Sequence, residues 1–78
     1  MKITIIGLGA YGIALARIFN ENDNKVVMYT KFEDEADIVK LKRENINVFK
    51  GVKIPKEIEI TTNLKESMEK SKIISIKK

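Results

Sequence analysis

The 78-residue sequence contains no cysteine and no histidine. Without cysteine there is no disulfide framework, no thiol nucleophile and no cysteine-based zinc site. Without histidine the commonest general base and the commonest metal ligand are missing. No pair of carboxylates stands out as an acid/base dyad either, since charge-paired helix faces account for most acids, so the sequence singles out no catalytic residue and no metal-ligand set. Tryptophan is absent, and proline occurs once, at Pro55. No apolar run approaches the roughly 18 residues of a membrane-spanning helix. Met1-Lys2-Ile3-Thr4-Ile5-Ile6-Gly7 is too short and too soon broken by glycine to be a signal-peptide core. These absences predict a soluble, cytoplasmic chain with no membrane partner.

What is present is globular in kind: 44% of the residues are apolar and 33% charged. A chain of 78 residues holds one domain at most, with a thin core. The net charge of +4 is uneven. Residues 1–24 carry two positive and two negative groups, and residues 25–49 carry five of each. The last 29 residues hold eight lysines and four glutamates, which is the whole excess. These lysines are interleaved with glutamate and isoleucine, and the only arginines are Arg17 and Arg43. Nucleic-acid binders cluster their basic groups and use arginine or aromatic contacts. A solvated lysine-rich surface is therefore expected, with no nucleic-acid partner.

The hydrophobic pattern alternates between two periods. Ile3-Thr4-Ile5-Ile6, closed by Gly7, reads as a buried parallel strand. Ala10, Ala14, Leu15, Ile18 and Phe19 fall at helical spacing and form an apolar stripe. The polar run Asn20-Glu21-Asn22-Asp23-Asn24 ends that helix. Lys25–Thr30 reads as a second buried strand. Acids at 33–37 followed by bases at 40–43 predict a helix across about 33–44. Asn45, Asn47, Gly51 and Pro55 mark 45–57 as an irregular connection. Glu57–Thr61 alternates as an edge strand does. Asn63 with Glu66 resembles a capping box, predicting a short helix with Leu64 and Met68 inward. Ile73–Ile76 is a last strand before Lys77-Lys78. The order β-α-β-α-loop-β-α-β argues for an α/β layer on a mainly parallel sheet.

Gly7-Leu8-Gly9-Ala10-Tyr11-Gly12 fits G-x-G-x-x-G, and its context is the required one. It follows a strand, opens a helix and lies in a βαβ unit of about 30 residues. Gly7 suits the tight turn off the strand, Gly9 the close approach of a pyrophosphate, and Gly12 close packing of helix on sheet. The helix amides would then face the phosphates. Tyr11 stands beside the turn, either against a cofactor or capping the sheet. NAD sites place an acid at the end of the second strand; here Tyr29, Thr30 and Lys31 stand there. Thr30 and Lys31 suit a 2′-phosphate, so the sequence leans to NADP or to both cofactors, with Glu33 and Asp34 close by. The expected architecture is the front part of a Rossmann-type domain over residues 1–78, with about four strands in the order 3-2-1-4 and about three helices.

Met1–Ala16 resembles the start of the bacterial NAD(P)-dependent glycerol-3-phosphate dehydrogenases, where G-x-G-A-W-G-T-A-L-A is typical. Tyr11 stands at the usual Trp and Ile13 at the usual Thr. Gly51-Val52-Lys53-Ile54-Pro55 and Thr61-Thr62-Asn63-Leu64 resemble the family's P-G-x-x-L-P and T-x-D/N-L segments, with Lys50 in place of the proline. The resemblance implies cofactor contacts at Gly7, Gly9, Ala10, Tyr11 and Gly12, and a basic residue near Lys31 with Phe32 beside it. It implies hydride transfer between dihydroxyacetone phosphate and glycerol 3-phosphate in a longer parent with a helical substrate domain. Its substrate lysines would lie beyond Lys78. The chain then reads as the front of such an enzyme, an expressed fragment or a truncated or frameshifted product, inactive alone. Rival readings are a ketopantoate or pyrroline carboxylate reductase, a non-catalytic nucleotide-sensing module, and a remnant that binds nothing. An open last strand predicts a homodimer by edge pairing.

Overall fold

The computed structural model describes residues 1–75, so the expected strand end at Ile76 and the Lys77-Lys78 pair lie outside the described residues. Its elements are β1 (Lys2–Ile6), α1 (Ala10–Glu21), β2 (Lys25–Tyr29), α2 (Glu33–Lys42), β3 (Glu59–Thr61), α3 (Leu64–Met68) and β4 (Lys72–Ser75). The four strands form one sheet in the order β3-β2-β1-β4, every pairing parallel. This is the α/β arrangement expected from the alternating periods. Ile5 pairs with Met28 on one side and Ile74 on the other, and Met28 pairs with Ile60. No helix among the described residues is long and apolar enough to cross a membrane.

The two central strands are buried on both faces: Ile3, Thr4 and Ile5 in β1, and Val26, Val27 and Met28 in β2. That explains why these residues are mainly β-branched, and apolar apart from Thr4, because parallel sheets are covered on both sides. Ile3, Ile5, Val26 and Met28 share a core with Ile13, Ala16, Ala36 and Val39 from α1 and α2. Thr4 points to the other face, where its hydroxyl donates to the Ser67 carbonyl of α3 and lies 2.6 Å from Ser71 Oγ. β3 alternates as expected, with Ile60 buried between more exposed neighbours.

Two inward faces differ from the sequence expectation. In α1 the buried residues are Gly12, Ile13 and Ala16; Leu15 and Phe19 are only partly buried, and Ile18 is 53% exposed. The helix approaches the sheet through Ile13 flanked by the small residues Gly12 and Ala16, rather than through the larger stripe of Leu15, Ile18 and Phe19. In α3, Leu64 and Met68 are exposed and Ser67 is buried. The polar contact with Thr4 brings that short helix in on its serine. The capping box at its start is present, with Asn63 Oδ1 accepting from Glu66 N at 3.0 Å.

The helix ends use local chemistry. Asn22 Nδ2 and Asn24 Nδ2 donate to the carbonyls of Ile18 and Phe19, satisfying the open end of α1. α2 has Glu33, Asp34 and Glu35 in its first turn and Lys40 and Lys42 in its last, complementing its dipole. It stops at Arg43, in a left-handed conformation (φ 54°). The connection after α2 is irregular yet ordered. Arg43 Nη1 donates to Ile58 O at 2.7 Å, and Ile54 N donates to Arg43 O at 2.7 Å. Ile54 and Ile58 are buried.

Glu44 closes this connection. Its carboxylate accepts from Gly51 N at 2.8 Å and pairs with Lys53 Nζ at 3.0 Å. The Gly51 amide first, and Lys53 second, hold its pKa below the usual glutamate value. A lowered native pKa contributes stability that is present above the unfolded value of about 4.3 and lost as pH falls through the native one. Thermal unfolding followed by circular dichroism from pH 7 to pH 3 should show Glu44→Gln less stable than wild type at neutral pH, with the gap closing only in the acid range. A gap that stays constant down to pH 3 would mean the carboxylate charge contributes nothing.

Candidate functional site

The carboxyl ends of β1 and β2 open onto a glycine turn. Gly7 continues the ladder, its N–H donating to Tyr29 O at 2.7 Å, and then turns the chain with φ +112°. That region is closed to side-chain-bearing residues at ordinary energy. Leu8 is buried and anchors the turn in the core. Gly9 is the N-cap of α1, with ordinary extended backbone (φ −75°, ψ 170°) and no side-chain cap. A Cβ built at Gly9 meets no atom within 4 Å, so space lies open in front of the turn.

Electrostatics at this end of α1 are equally plain. The first turn carries no acid. The first helical hydrogen bond runs from Ile13 N to Gly9 O at 3.0 Å. The amides of Ala10, Tyr11 and Gly12 precede it and have no intrahelical acceptor. They add to the positive end of the helix dipole. Ala10 is half-buried, Gly12 is buried against the sheet, and Tyr11 is 66% exposed at the mouth of the turn. Tyr11 therefore does not cap the sheet.

Beside the turn is a cleft of about 420 Å³, walled by Ile6–Leu8 on one side and by Tyr29–Phe32 with Glu35 on the other. The structure thus brings Gly7, at the start of the glycine turn, and the second predicted group, Thr30, Lys31 and Phe32, onto one cleft, while Gly9, Ala10, Tyr11 and Gly12 lie outside its lining. Their parts differ. Thr30 is buried; its hydroxyl donates to Glu35 Oε1 at 2.8 Å and accepts from Phe32 N at 3.2 Å. That hydroxyl is engaged in shaping the end of β2. Lys31 and Phe32 are exposed at the rim, with Lys31 Nζ 5.2 Å from the Phe32 ring centre, an arrangement of the cation–π kind.

Sequence reasoning missed Glu35. It weighed Glu33 and Asp34, which are exposed, whereas Glu35 reaches the cleft. The available signal was position: with Phe32 as N-cap, Glu35 is the third helical residue, whose side chain folds back toward the helix start. Asn45 was missed too, because nothing local marks its distant contact with Leu8 O at 2.9 Å.

A parallel sheet in this order, with a glycine turn presenting free helix amides at its carboxyl end, defines a Rossmann-type dinucleotide-binding domain. The comparisons with known proteins narrow the class. A family model described as the NAD-dependent glycerol-3-phosphate dehydrogenase N-terminus matches residues 2–77, and the chain belongs to this family. It is 40% identical over 73 residues to a glycerol-3-phosphate dehydrogenase [NAD(P)+] of Mesoplasma florum, a match covering 94% of this chain and 22% of that protein. The corresponding enzyme of Fusobacterium nucleatum is 32% identical over 74 residues, covering 95% and 22%. The crystal structure of glycerol-3-phosphate dehydrogenase from Coxiella burnetii superimposes with a TM-score of 0.84 at 25% identity, over 95% of this chain and 23% of that one. The chain spans about 22% of the length of the curated relatives it matches. The ketopantoate, pyrroline carboxylate and nucleotide-sensing readings are not favoured.

The two outer positions of the turn should respond oppositely to substitution. Gly7→Ala forces a Cβ into a strained backbone region and should lower stability by about 1–3 kcal/mol. Gly9→Asp adds a capping carboxylate at a helix N-terminus in open space and should raise stability by about 0.5–1 kcal/mol. Urea unfolding of both variants checks the pair; a destabilised Gly9→Asp would show that the helix amides are already satisfied.

Proposed function

We propose that the chain is the front part, over residues 1–78, of the NAD(P)-binding domain of a glycerol-3-phosphate dehydrogenase. The observation that carries this is the open space before Gly9, faced by helix amides without protein partners. The parts fit a dinucleotide. Gly9 lets a pyrophosphate approach the backbone, and the amides of Ala10, Tyr11 and Gly12 donate to it. Gly7 supplies the turn that puts them there. The adenosine end lies along the cleft, with Phe32 offering a ring face and Lys31 a positive charge toward a 2′-phosphate. Thr30 shapes that rim from behind.

The parent reaction in this reading is hydride transfer between dihydroxyacetone phosphate and sn-glycerol 3-phosphate, a step that supplies glycerophospholipid precursors. The cofactor supplies the hydride chemistry. The residues of this chain bind and orient it and perform no proton transfer. The cofactor is NADP or NAD. The absence of an acid at Tyr29–Lys31 supports NADP binding at least as well as NAD, although the Glu35 carboxylate lies on the same cleft. A cytoplasmic setting follows from the cofactor pool this reading requires. β4 lies at the sheet edge and exposes Ile73, which supports self-association by strand pairing between two copies. Nucleic acid and membrane have no part in this reading.

Gly9→Val tests the pyrophosphate contact. Its backbone conformation admits valine, so the variant should fold yet bind NADPH at least tenfold more weakly by calorimetry; equal affinities would sink the assignment. For cofactor choice, a charge-assisted hydrogen bond is worth about 1.5–3 kcal/mol net, so Lys31→Glu should shift the NADP-to-NAD affinity ratio about tenfold or more toward NAD. A wild type that clearly prefers NAD would refute the role of Lys31. Purified chain given NADPH and dihydroxyacetone phosphate should show no turnover; rates near the ~10 s⁻¹ typical of enzymes would mean that the active site is wholly within these residues.

A further inference from the structure

The α2–β3 connection sends one polar side chain into the glycine turn. Asn45 is 5% exposed, and its Nδ2 donates to Leu8 O at 2.9 Å. The same nitrogen lies 3.5 Å from Glu35 Oε2, while Glu35 Oε1 accepts from Thr30 Oγ1 at 2.8 Å. Asn45 is itself held in place, its carbonyl accepting from Phe49 N at 2.8 Å and Val48 N at 3.2 Å. Phe49 packs against the core. A braced line therefore runs from the glycine turn through Asn45 and Glu35 to the end of β2.

Leu8 O belongs to the peptide unit that also carries the Gly9 N–H. A trans peptide is planar, and its C=O and N–H point in opposite directions. Drawing Leu8 O inward onto Asn45 therefore turns the Gly9 N–H outward, to the side where a Cβ on Gly9 would meet only open space. Without that bond the orientation of the Leu8–Gly9 peptide is left to ψ of Leu8 and φ of Gly9, and glycine is the residue with the least backbone restraint. We propose that Asn45 is a positioning residue for a pyrophosphate-bearing ligand: its hydrogen bond to Leu8 O fixes the Leu8–Gly9 peptide so that the Gly9 N–H joins the α1 amides in donating to the phosphates. The inference rests on the dinucleotide reading above.

The test uses the full chain, isotope-labelled, titrated with ADP as the pyrophosphate probe and followed at its amides. Asn45→Asp keeps the shape but removes the donor and sets an acceptor against Leu8 O and Glu35. Asn45→Ser, which retains a shorter donor, serves if the aspartate variant does not fold. In the wild type, ADP should shift the Gly9, Ala10 and Tyr11 amides together. In Asn45→Asp the affinity should fall about tenfold, the scale of one net hydrogen bond. The Gly9 response should be lost at saturation while Ala10 and Tyr11 still respond. Asn45→Ser should recover part of the affinity. General destabilisation would weaken all three responses alike and would not single out Gly9. A variant that binds ADP as tightly as wild type, or that saturates with an unchanged Gly9 response, overturns the role of Asn45. If Gly9→Val also loses ADP in that case, the dinucleotide reading stands. A wild type that binds neither ADP nor NADPH overturns both.

Discussion

The closeness of α1 to the sheet is the constraint on which the rest depends. The helix lies on β1 and β2 through Gly12, Ile13 and Ala16, so its first turn starts hard against the strands. A larger side chain at position 12 or 16 would push the helix outward, and its N-terminal amides would move with it. Core packing and site geometry are therefore one property of this chain. Gly7 makes the connection sharp enough, and the buried Leu8 keeps it from lifting away. With α1 on one face and α3 on the other, the two central strands are buried on both, and Thr4 is the polar residue among their buried side chains.

Buried and half-buried polar side chains tie the less regular parts to this centre. Thr4 holds α3, Arg43 holds the segment running into β3, and Asn45 holds the glycine turn. Each satisfies a backbone carbonyl that would otherwise cost about 1–3 kcal/mol if buried alone. Among the described residues no buried side-chain polar atom lacks a partner. In a domain with few large core residues, such bonds specify where connections lie, whereas hydrophobic burial alone would leave them several positions. The irregular stretch after α2 is ordered for this reason, with Ile54 and Ile58 as its apolar anchors.

The sequence made the strands, their parallel order and the glycine turn legible because each rests on local periodicity or on a residue type with one physical use. Ile3–Ile6 can be little else than a buried strand, and Gly7 to Gly12 between strand and helix has few structural readings. The inward faces of α1 and α3 were less legible. Gly12 in α1 and Ser67 in α3 lie on those faces, and neither registers in a hydrophobic pattern. The reach of Asn45 was not legible, because its partner Leu8 is 37 residues away and meets it only in the fold; that of Glu35 toward Thr30 was marked only by its position as the third residue of α2. The role first expected for Thr30 shows the same limit. Its position at the end of β2 was readable, but the partner of its hydroxyl was not.

The contrast between the two long helices shows what the site asks of the fold. α2 satisfies its own dipole, with three acids in its first turn and two lysines in its last. α1 has no acid in its first turn and no base in its last. Its far end is instead closed by Asn22 and Asn24, so the polar economy of α1 is incomplete at one end only. The incomplete end is the one facing the open space at Gly9. Ser, Asp or Asn at position 9 would cap it and stabilise the free chain by a few tenths of a kcal/mol, with about as much again from the dipole for Asp. Glycine there leaves the amides to an outside anion, and the same missing Cβ lets that anion come within reach. In the dinucleotide reading proposed above, affinity for a phosphate and the stability of the unliganded helix oppose each other at this single residue, and glycine there is the choice that favours the ligand.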